Sequence, residues 1–166
     1  KRKGFAEAQV LKLLEESPNA KEVRCKHYWI CSKIQSLSYD EQTKEKLAQV
    51  EDAFSRLGGF TDFKLGSVRK AEKIYNYRNK MEFTFSPNRW VLDSEPEGVD
   101  RSFALGLHIP GRFDKILDIH NCYIQPEIGN RILSVTRDLC IEHPELRPYD
   151  PRSHIGFLRF LMLRYG

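Results

Sequence analysis

No apolar stretch in this chain approaches the ~20 residues that a membrane-spanning helix needs. Its glycines never fall as G-x-G-x-x-G, so no nucleotide-cradling loop is written here. There is no Ser/His/Asp set and no zinc-hydrolase spacing, and the residues offer no convincing active site. Internal repeats and low-complexity segments are missing, and Lys1-Arg2-Lys3 is not followed by the apolar core of a secretory signal. Cysteines are few: Cys25, Cys31, Cys122 and Cys140. With no export signal, disulfides are not expected. That leaves buried small hydrophobes or ligands of a metal or cluster.

What is present is a globular composition. The 166 residues are 40% hydrophobic and 30% charged, enough for one core and too apolar for a disordered chain. The net charge of +4 is uneven: residues 1–90 carry +6 and residues 91–166 carry −2. The excess is densest from Lys64 to Lys80, where Lys64, Arg69, Lys70, Lys73, Arg78 and Lys80 face only Glu72. Such a stretch suits a polyanion, although charge alone slightly favours a plain solvated face.

The patterning alternates between strand and helix periods. Residues 5–14 read as a strand closed by a turn at Ser17-Pro18-Asn19. A cysteine-bearing loop follows. Ser38 and Glu41 form a capping-box pair, and Leu47, Val50, Phe54 and Leu57 fall on one helical face until Gly58-Gly59 stops it. Met81, Phe83 and Phe85 alternate with polar residues, as do Phe103, Leu105, Leu107 and Ile109, and a third strand is expected over Phe113–Ile119 after the Pro110-Gly111 turn. A second helix is expected from Pro126, with Ile128, Ile132, Val135 and Leu139 as its apolar stripe and Cys140 in the core. Residues 142–151 hold three prolines and read as irregular. Residues 157–165 are apolar on both faces, like a strand covered on two sides. The expected fold is α+β, a mainly antiparallel sheet with two packed helices.

Three constellations carry chemistry. Cys25-x5-Cys31, with the distant Cys122, has the makings of a metal or cluster site, although spacing alone favours ordinary reduced thiols. Tyr75-Asn76-Tyr77-Arg78-Asn79-Lys80 interleaves aromatics with Arg, Asn and Lys at the entry to a strand. Rings of that kind stack on splayed bases while the cations hold phosphates; a wet edge strand is the plain alternative. His108 and Arg112 flank the Pro110-Gly111 turn, where a lone His is more often a surface residue than a catalyst.

At this point the residues resemble a known family, the bacterial RNA (uracil-5-)-methyltransferases that modify ribosomal RNA and tRNA, and in detail its Bacteroides-type members. Gly4-Phe5-Ala6-Glu7-Ala8 looks like the last strand of the small RNA-binding barrel, the TRAM domain, that precedes these enzymes. Cys25-Lys26-His27-Tyr28-Trp29-Ile30-Cys31 looks like the opening of the family's iron–sulfur loop, and Gln35 to Gln42 like the segment starting its next helix. Tyr77-Arg78-Asn79-Lys80-Met81-Glu82-Phe83 resembles a strand of the central RNA-binding domain. Leu105-Gly106-Leu107-His108 with Asp118-Ile119-His120-Asn121-Cys122 is similar to its hairpin and last cluster cysteine. Gly156 to Arg164 looks like the strand leading into the methyltransferase domain.

The resemblance implies a division into residues 1–18 as the end of a TRAM-like barrel, 19–37 as the cysteine loop and 38–166 as the central RNA-binding domain. It implies Arg78, Asn79, Lys80, His108, Arg112 and Arg159 as RNA contacts, and Cys25, Cys31 and Cys122 as ligands of an iron–sulfur cluster. The family's loop usually has a further cysteine three positions after Cys31, where Ile34 stands here and cannot ligate iron. The family's S-adenosylmethionine-binding Rossmann-like domain, its nucleophilic Cys and its general-base Glu have no counterpart in these residues. Cys140 is no substitute, having nothing beside it to lower its pKa. The expectation is therefore the RNA-recognition portion of an S-adenosylmethionine-dependent uracil-5-methyltransferase, itself not catalytic, cytoplasmic and monomeric, holding structured RNA, ribosomal before transfer RNA, with no membrane partner. The competing expectations are a metal- or iron–sulfur-binding structural module without RNA affinity of its own, and a freestanding RNA-binding protein.

Overall fold

The computed structural model describes residues 24–166. The strand expected over residues 5–14, the TRAM-like segment 1–18 and the start of the cysteine loop lie outside them. The chain divides into two compact units between Ile74 and Tyr75.

In the first unit a one-turn helix, α1 (Tyr28–Cys31), leads through a 3-10 turn (Lys33–Ser36) to helix α2 (Tyr39–Asp52). The start of α2 is the anticipated capping box. Ser38 Oγ accepts from the Glu41 N–H at 3.3 Å, while the Ser38 N–H donates to Glu41 Oε2 at 2.9 Å, satisfying N–H groups that a helix start leaves orphaned. The helix runs on through a π-turn, Ala53–Leu57, before Gly58 and Gly59 end it, the latter at φ 69°. The expected apolar face is not buried: Leu47 is half-covered, whereas Val50, Phe54 and Leu57 are exposed. Phe54 instead meets Phe60 and Phe63, with ring centroids 5.8 and 5.5 Å away. From there to residue 79 the chain has no helix or strand, so most of the basic stretch is irregular backbone. Lys70 is ion-paired with Asp40, and the Ala71 N–H donates to the Tyr39 hydroxyl at 2.8 Å.

The second unit is built on a five-stranded sheet. Its strands are β1 (Lys80–Ser86), β2 (Arg89–Trp90), β3 (Ala104–His108), β4 (Ile116–Asp118) and β5 (Phe160–Arg164), in the order β2-β4-β3-β1-β5. Three of the four pairings are antiparallel, and β2 runs parallel to β4. Two-residue alternation sends Met81, Phe83 and Phe85 to one face, opposite Leu163, Leu161 and Leu105 in register. Phe83, Leu105 and Leu117 are fully buried there, together with Leu133. Strand β4 is shorter than expected, and Phe113 lies outside it, exposed. Gly106 is required where β3 crosses β4, because a Cβ there would sit 1.8 Å from the Leu117 carbonyl oxygen.

Helix α3 (Glu127–Glu142) starts after Pro126 as expected but presents a different face to the sheet. Its buried residues are Gly129, Asn130, Leu133, Arg137 and Cys140. The anticipated stripe of Ile128, Ile132, Val135 and Leu139 faces outward, Ile128 being 49% and Val135 66% exposed. The physical reason is hydrogen bonding. Asn130 Oδ1 accepts from the Cys122 N–H at 2.9 Å and from Gln125 Nε2 at 2.7 Å. Arg137 Nη2 donates to the Leu105 and Ile119 carbonyls at 3.0 and 2.8 Å and to Asp118 Oδ1 at 2.7 Å. Two polar side chains thus occupy the core face by satisfying backbone groups that would otherwise be orphaned. Helix α3 packs within this unit.

Candidate nucleic-acid interface

The sheet of the second unit has one face under α3 and one open face. Alternation places Lys80, Glu82 and Thr84 of β1 on the open side, opposite Arg164, Met162 and Phe160 of β5. His108 reaches the same face diagonally from β3, with its Nε2 3.2 Å from Thr84 Oγ1. Phe160, Met162 and Arg164 are exposed, so the strand expected to be covered on two sides is covered on one.

The residues expected at an RNA surface fall into two groups on this unit. Arg78, Asn79, Lys80 and Glu82 line a shallow hollow at the start of β1. Their backbone is pinned: the Arg78 N–H donates to the Ile124 carbonyl at 2.8 Å, and the Tyr165 N–H donates to the Asn79 carbonyl at 2.9 Å. Asn76 holds a positive φ of 54°, a conformation that Asn tolerates better than most residues, and this turns the chain into β1. The Arg78 side chain folds forward, Nε donating to the Lys80 carbonyl at 2.9 Å.

His108 and Arg159 belong to the second group, four residues further along β1, or about 13 Å at ~3.3 Å per residue. Both line a cleft of about 260 Å³ together with Thr84, Phe113, Lys115, Tyr149, Arg152 and Phe160. Arg159 lies over the Tyr149 ring, its guanidinium carbon 3.7 Å from the centroid. The Tyr149 hydroxyl is held 2.8 Å from His154 Nδ1. Arg112 does not line the cleft. It stands beside it, 4.0 Å from Asp114. Asp114 is a hub: Arg152 approaches it at 2.9 Å and Lys115 at 3.6 Å. Its partial burial would raise the carboxyl pKa, but the Lys115 charge, the Arg152 hydrogen bond and the Arg112 charge outweigh that and hold it below the usual carboxylate value.

Sequence pattern does not single out Lys115, Arg152 or Tyr149. Local alternation puts Lys115 in a strand, and Arg152 and Tyr149 fall in or beside an irregular proline-rich segment. The one local signal is the run Arg112-Phe113-Asp114-Lys115, an acid between two bases. Arg152 meets that run only through the fold, 38 residues away in sequence. A larger cleft of about 760 Å³ lies by α3, with Asp118, His120 and Arg137 in its wall. Arg137 is occupied there in tying the sheet to the helix.

The expected cluster ligands are divided between the two units. Cys25 precedes α1 and Cys31 ends it in the first unit, where Cys31 Sγ lies 3.7 Å from the Tyr28 carbonyl and 3.9 Å from Gln35 Nε2. Ile34 sits half-buried in the following 3-10 turn, with only carbon to offer at the position where the family has a third thiol. Cys122 is buried in the second unit. Among the described residues no three His, Cys, Asp or Glu side chains gather as metal ligands would. These donors do not fit a four-thiolate cluster. Burial pushes the Cys140 thiol up, away from nucleophilic use.

No family model matches the chain. A protein of Chlorobaculum tepidum named as an uncharacterised RNA methyltransferase is 40% identical over 168 residues, which is 98% of this chain and 35% of that protein. Similarly named proteins of Porphyromonas gingivalis and Bacteroides thetaiotaomicron are 36% and 39% identical over 99% of this chain and 37% of theirs. The chain thus spans about a third of the length of these curated relatives. Among solved structures, the tRNA (uracil-54, C5)-methyltransferase of Pyrococcus abyssi, in complex with S-adenosyl-L-homocysteine, matches 87% of this chain and 29% of its own. The TM-score is 0.54 at 22% identity, a likeness of fold.

Proposed function

We propose that the chain is the RNA-holding portion of an S-adenosylmethionine-dependent RNA uracil-5-methyltransferase, a reading supported by relatives named as RNA methyltransferases that match 98–99% of its length. The observation that carries this reading is the open face of the second unit's sheet. Exposed cations, Lys80 and Arg164, lie on that face, with Arg78 at its entry and Arg159 at its far end. Exposed ring or thioether surface from Phe160 and Met162 lies between them. Such a surface holds phosphates by charge and unstacked bases by ring contact. It performs no bond-making. Its work is to fix an RNA so that a uridine turned out of the stack enters a catalytic site supplied by the rest of the protein.

The methyl donor would be S-adenosylmethionine, bound by that remaining part. The reaction class needs a thiolate to add to the pyrimidine ring and a base to take the C5 proton. Neither thiol of the second unit suits the nucleophile's role, because Cys122 and Cys140 are both buried. A ribosomal RNA hairpin is the substrate class we assign, with transfer RNA as the comparison, and the chain is taken to act as a monomer in the cytoplasm.

The test is fluorescence anisotropy of a labelled RNA hairpin against salt concentration, with the chain and with its Arg78→Ala/Lys80→Ala variant. We expect wild-type affinity to fall linearly on a log–log plot, and the variant's slope to be shallower by about 0.7 to 0.9 per lost phosphate contact. Equal slopes and affinities would remove these residues from the interface, and no binding by the wild type would remove the reading.

A further inference from the structure

We infer that the 260 Å³ cleft between the Asp114 hub and the Arg159–Tyr149 stack holds one unpaired RNA nucleotide, with its phosphate on Lys115 and Arg152 and its base against Phe160. This rests on the RNA-holding reading and goes beyond it by naming a subsite, the residues that make it and the RNA feature it selects.

The charge is the first support. Four cations, Arg112, Lys115, Arg152 and Arg159, surround or line the cleft, against two carboxylates, Asp114 and Asp150. The cations are also held in place. Asp114 gathers three of them onto one carboxylate, Lys115 lies 5.6 Å from the centre of the Trp90 ring, and Arg159 is stacked on Tyr149. Positioning of this kind lowers the conformational entropy lost when a phosphate arrives. An arginine held over a ring keeps N–H donors free for phosphate oxygens. The Arg152–Asp114 contact is exposed on the Arg152 side, which is 73% accessible, and such pairs are weak enough for a phosphate to recruit the guanidinium.

Size and shape are the second support. At about 260 Å³ the cleft is below the ~300–1,000 Å³ of ordinary small-molecule sites, so it can take one base with its sugar and phosphate at the rim, and no duplex. Phe113 and Phe160, both exposed, provide ring surface at its wall. Ring surface beside cations is worth little to a paired helix, whose bases are already stacked, and much to a base that has left the stack. Thr84 and His108, joined at 3.2 Å, supply polar atoms at the base of the cleft for an edge of that nucleobase.

The experiment compares two labelled RNAs of equal length, a hairpin with an unpaired loop and a blunt duplex, binding to the full chain and to Lys115→Ala/Arg152→Ala, Phe160→Ala and Arg78→Ala/Lys80→Ala. A thermal melt of each variant confirms that it is folded, and Arg152 and Phe160 are exposed enough for the fold to survive their loss. The inference predicts that Lys115→Ala/Arg152→Ala weakens hairpin binding at about 0.1 M salt by roughly 5-fold per lost contact and lowers the salt slope by about 0.7 per contact, with the duplex hardly affected. Phe160→Ala is predicted to weaken hairpin binding without changing the slope. If both variants bind the hairpin like wild type while Arg78→Ala/Lys80→Ala does not, the cleft is not a nucleotide site and the RNA-holding reading stands. Equal losses on hairpin and duplex would make the cleft a nonspecific basic surface and overturn the inference. If wild type binds neither RNA, both readings fall.

Discussion

Replacing Arg137 with Met should destabilise the second unit severely, through charge and not through packing. The Arg137 and Asp118 side chains are 7% and 8% exposed and 2.7 Å apart. The same guanidinium nitrogen satisfies two backbone carbonyls, of Leu105 and Ile119. Methionine replaces most of the stem's volume but none of these bonds. The variant therefore leaves a buried carboxylate short of its cation and two carbonyls short of a donor. Breaking one side of a buried pair typically costs about 3–5 kcal/mol. Asp118 still accepts the Leu105 N–H at 2.9 Å and still meets His120, which places the expected loss at the low end, about 3 kcal/mol. For a unit of this size each kcal/mol shifts the melting temperature by roughly 4–8 °C. Urea unfolding followed by Trp90 fluorescence, in a Trp29→Phe background so that only the second unit reports, measures it directly. Removing both charges, with Asp118→Asn beside Arg137→Met, should cost clearly less than the two single losses added together. A loss below about 1 kcal/mol for Arg137→Met, or strictly additive losses, would refute the assignment of Arg137 as the tie between helix and sheet.

Other consequences follow from single positions. Gly106→Ala puts a Cβ 1.8 Å from the Leu117 oxygen, backbone against backbone, so the variant should fail to accumulate as folded protein; a cooperative melt near wild type would contradict that. Because Asp114 is depressed in the fold, its contribution to stability is present above the unfolded carboxylate pKa and lost as pH falls through the lower folded value. Asp114→Asn should therefore flatten the acid limb of stability against pH below about pH 4, and an unchanged acid limb would show that the hub is not formed in solution. With Ile34 at a ligand position, anaerobically purified chain is expected to hold no stoichiometric four-iron cluster. Iron and acid-labile sulfide at matching levels, with a cluster absorption band, would contradict the donor argument.

Much of the second unit is legible in the residues. Strands β1 and β3 follow from alternation of large apolar and polar side chains, and in the first unit the start of α2 follows from Ser38 and Glu41. The anticipated His108 and Arg159 line one cleft because both lie at strand ends next to Thr84 and Phe160. The buried face of α3 is not legible, since hydrophobicity points to Ile128, Ile132, Val135 and Leu139. The core face carries Asn130 and Arg137, whose partners are backbone groups distant in sequence and leave no trace in local periodicity. Strand β2 is two residues long, too short for any pattern. The Asp114 hub is hidden for the same reason as Arg137: its most exposed partner, Arg152, comes from a proline-rich loop that carries no periodic signal and is placed only by the fold.

The central claim is that RNA meets the open face of the second unit's sheet. Backbone amide shifts of isotope-labelled chain, titrated with an unpaired-loop RNA hairpin, test it most directly. The account predicts perturbations concentrated at Arg78–Thr84, His108, Lys115, Arg152 and Arg159–Arg164, with the outward side of α3 unmoved. Shifts confined to Ile128, Ile132, Val135 and Leu139, or no shifts at saturating RNA, would contradict it.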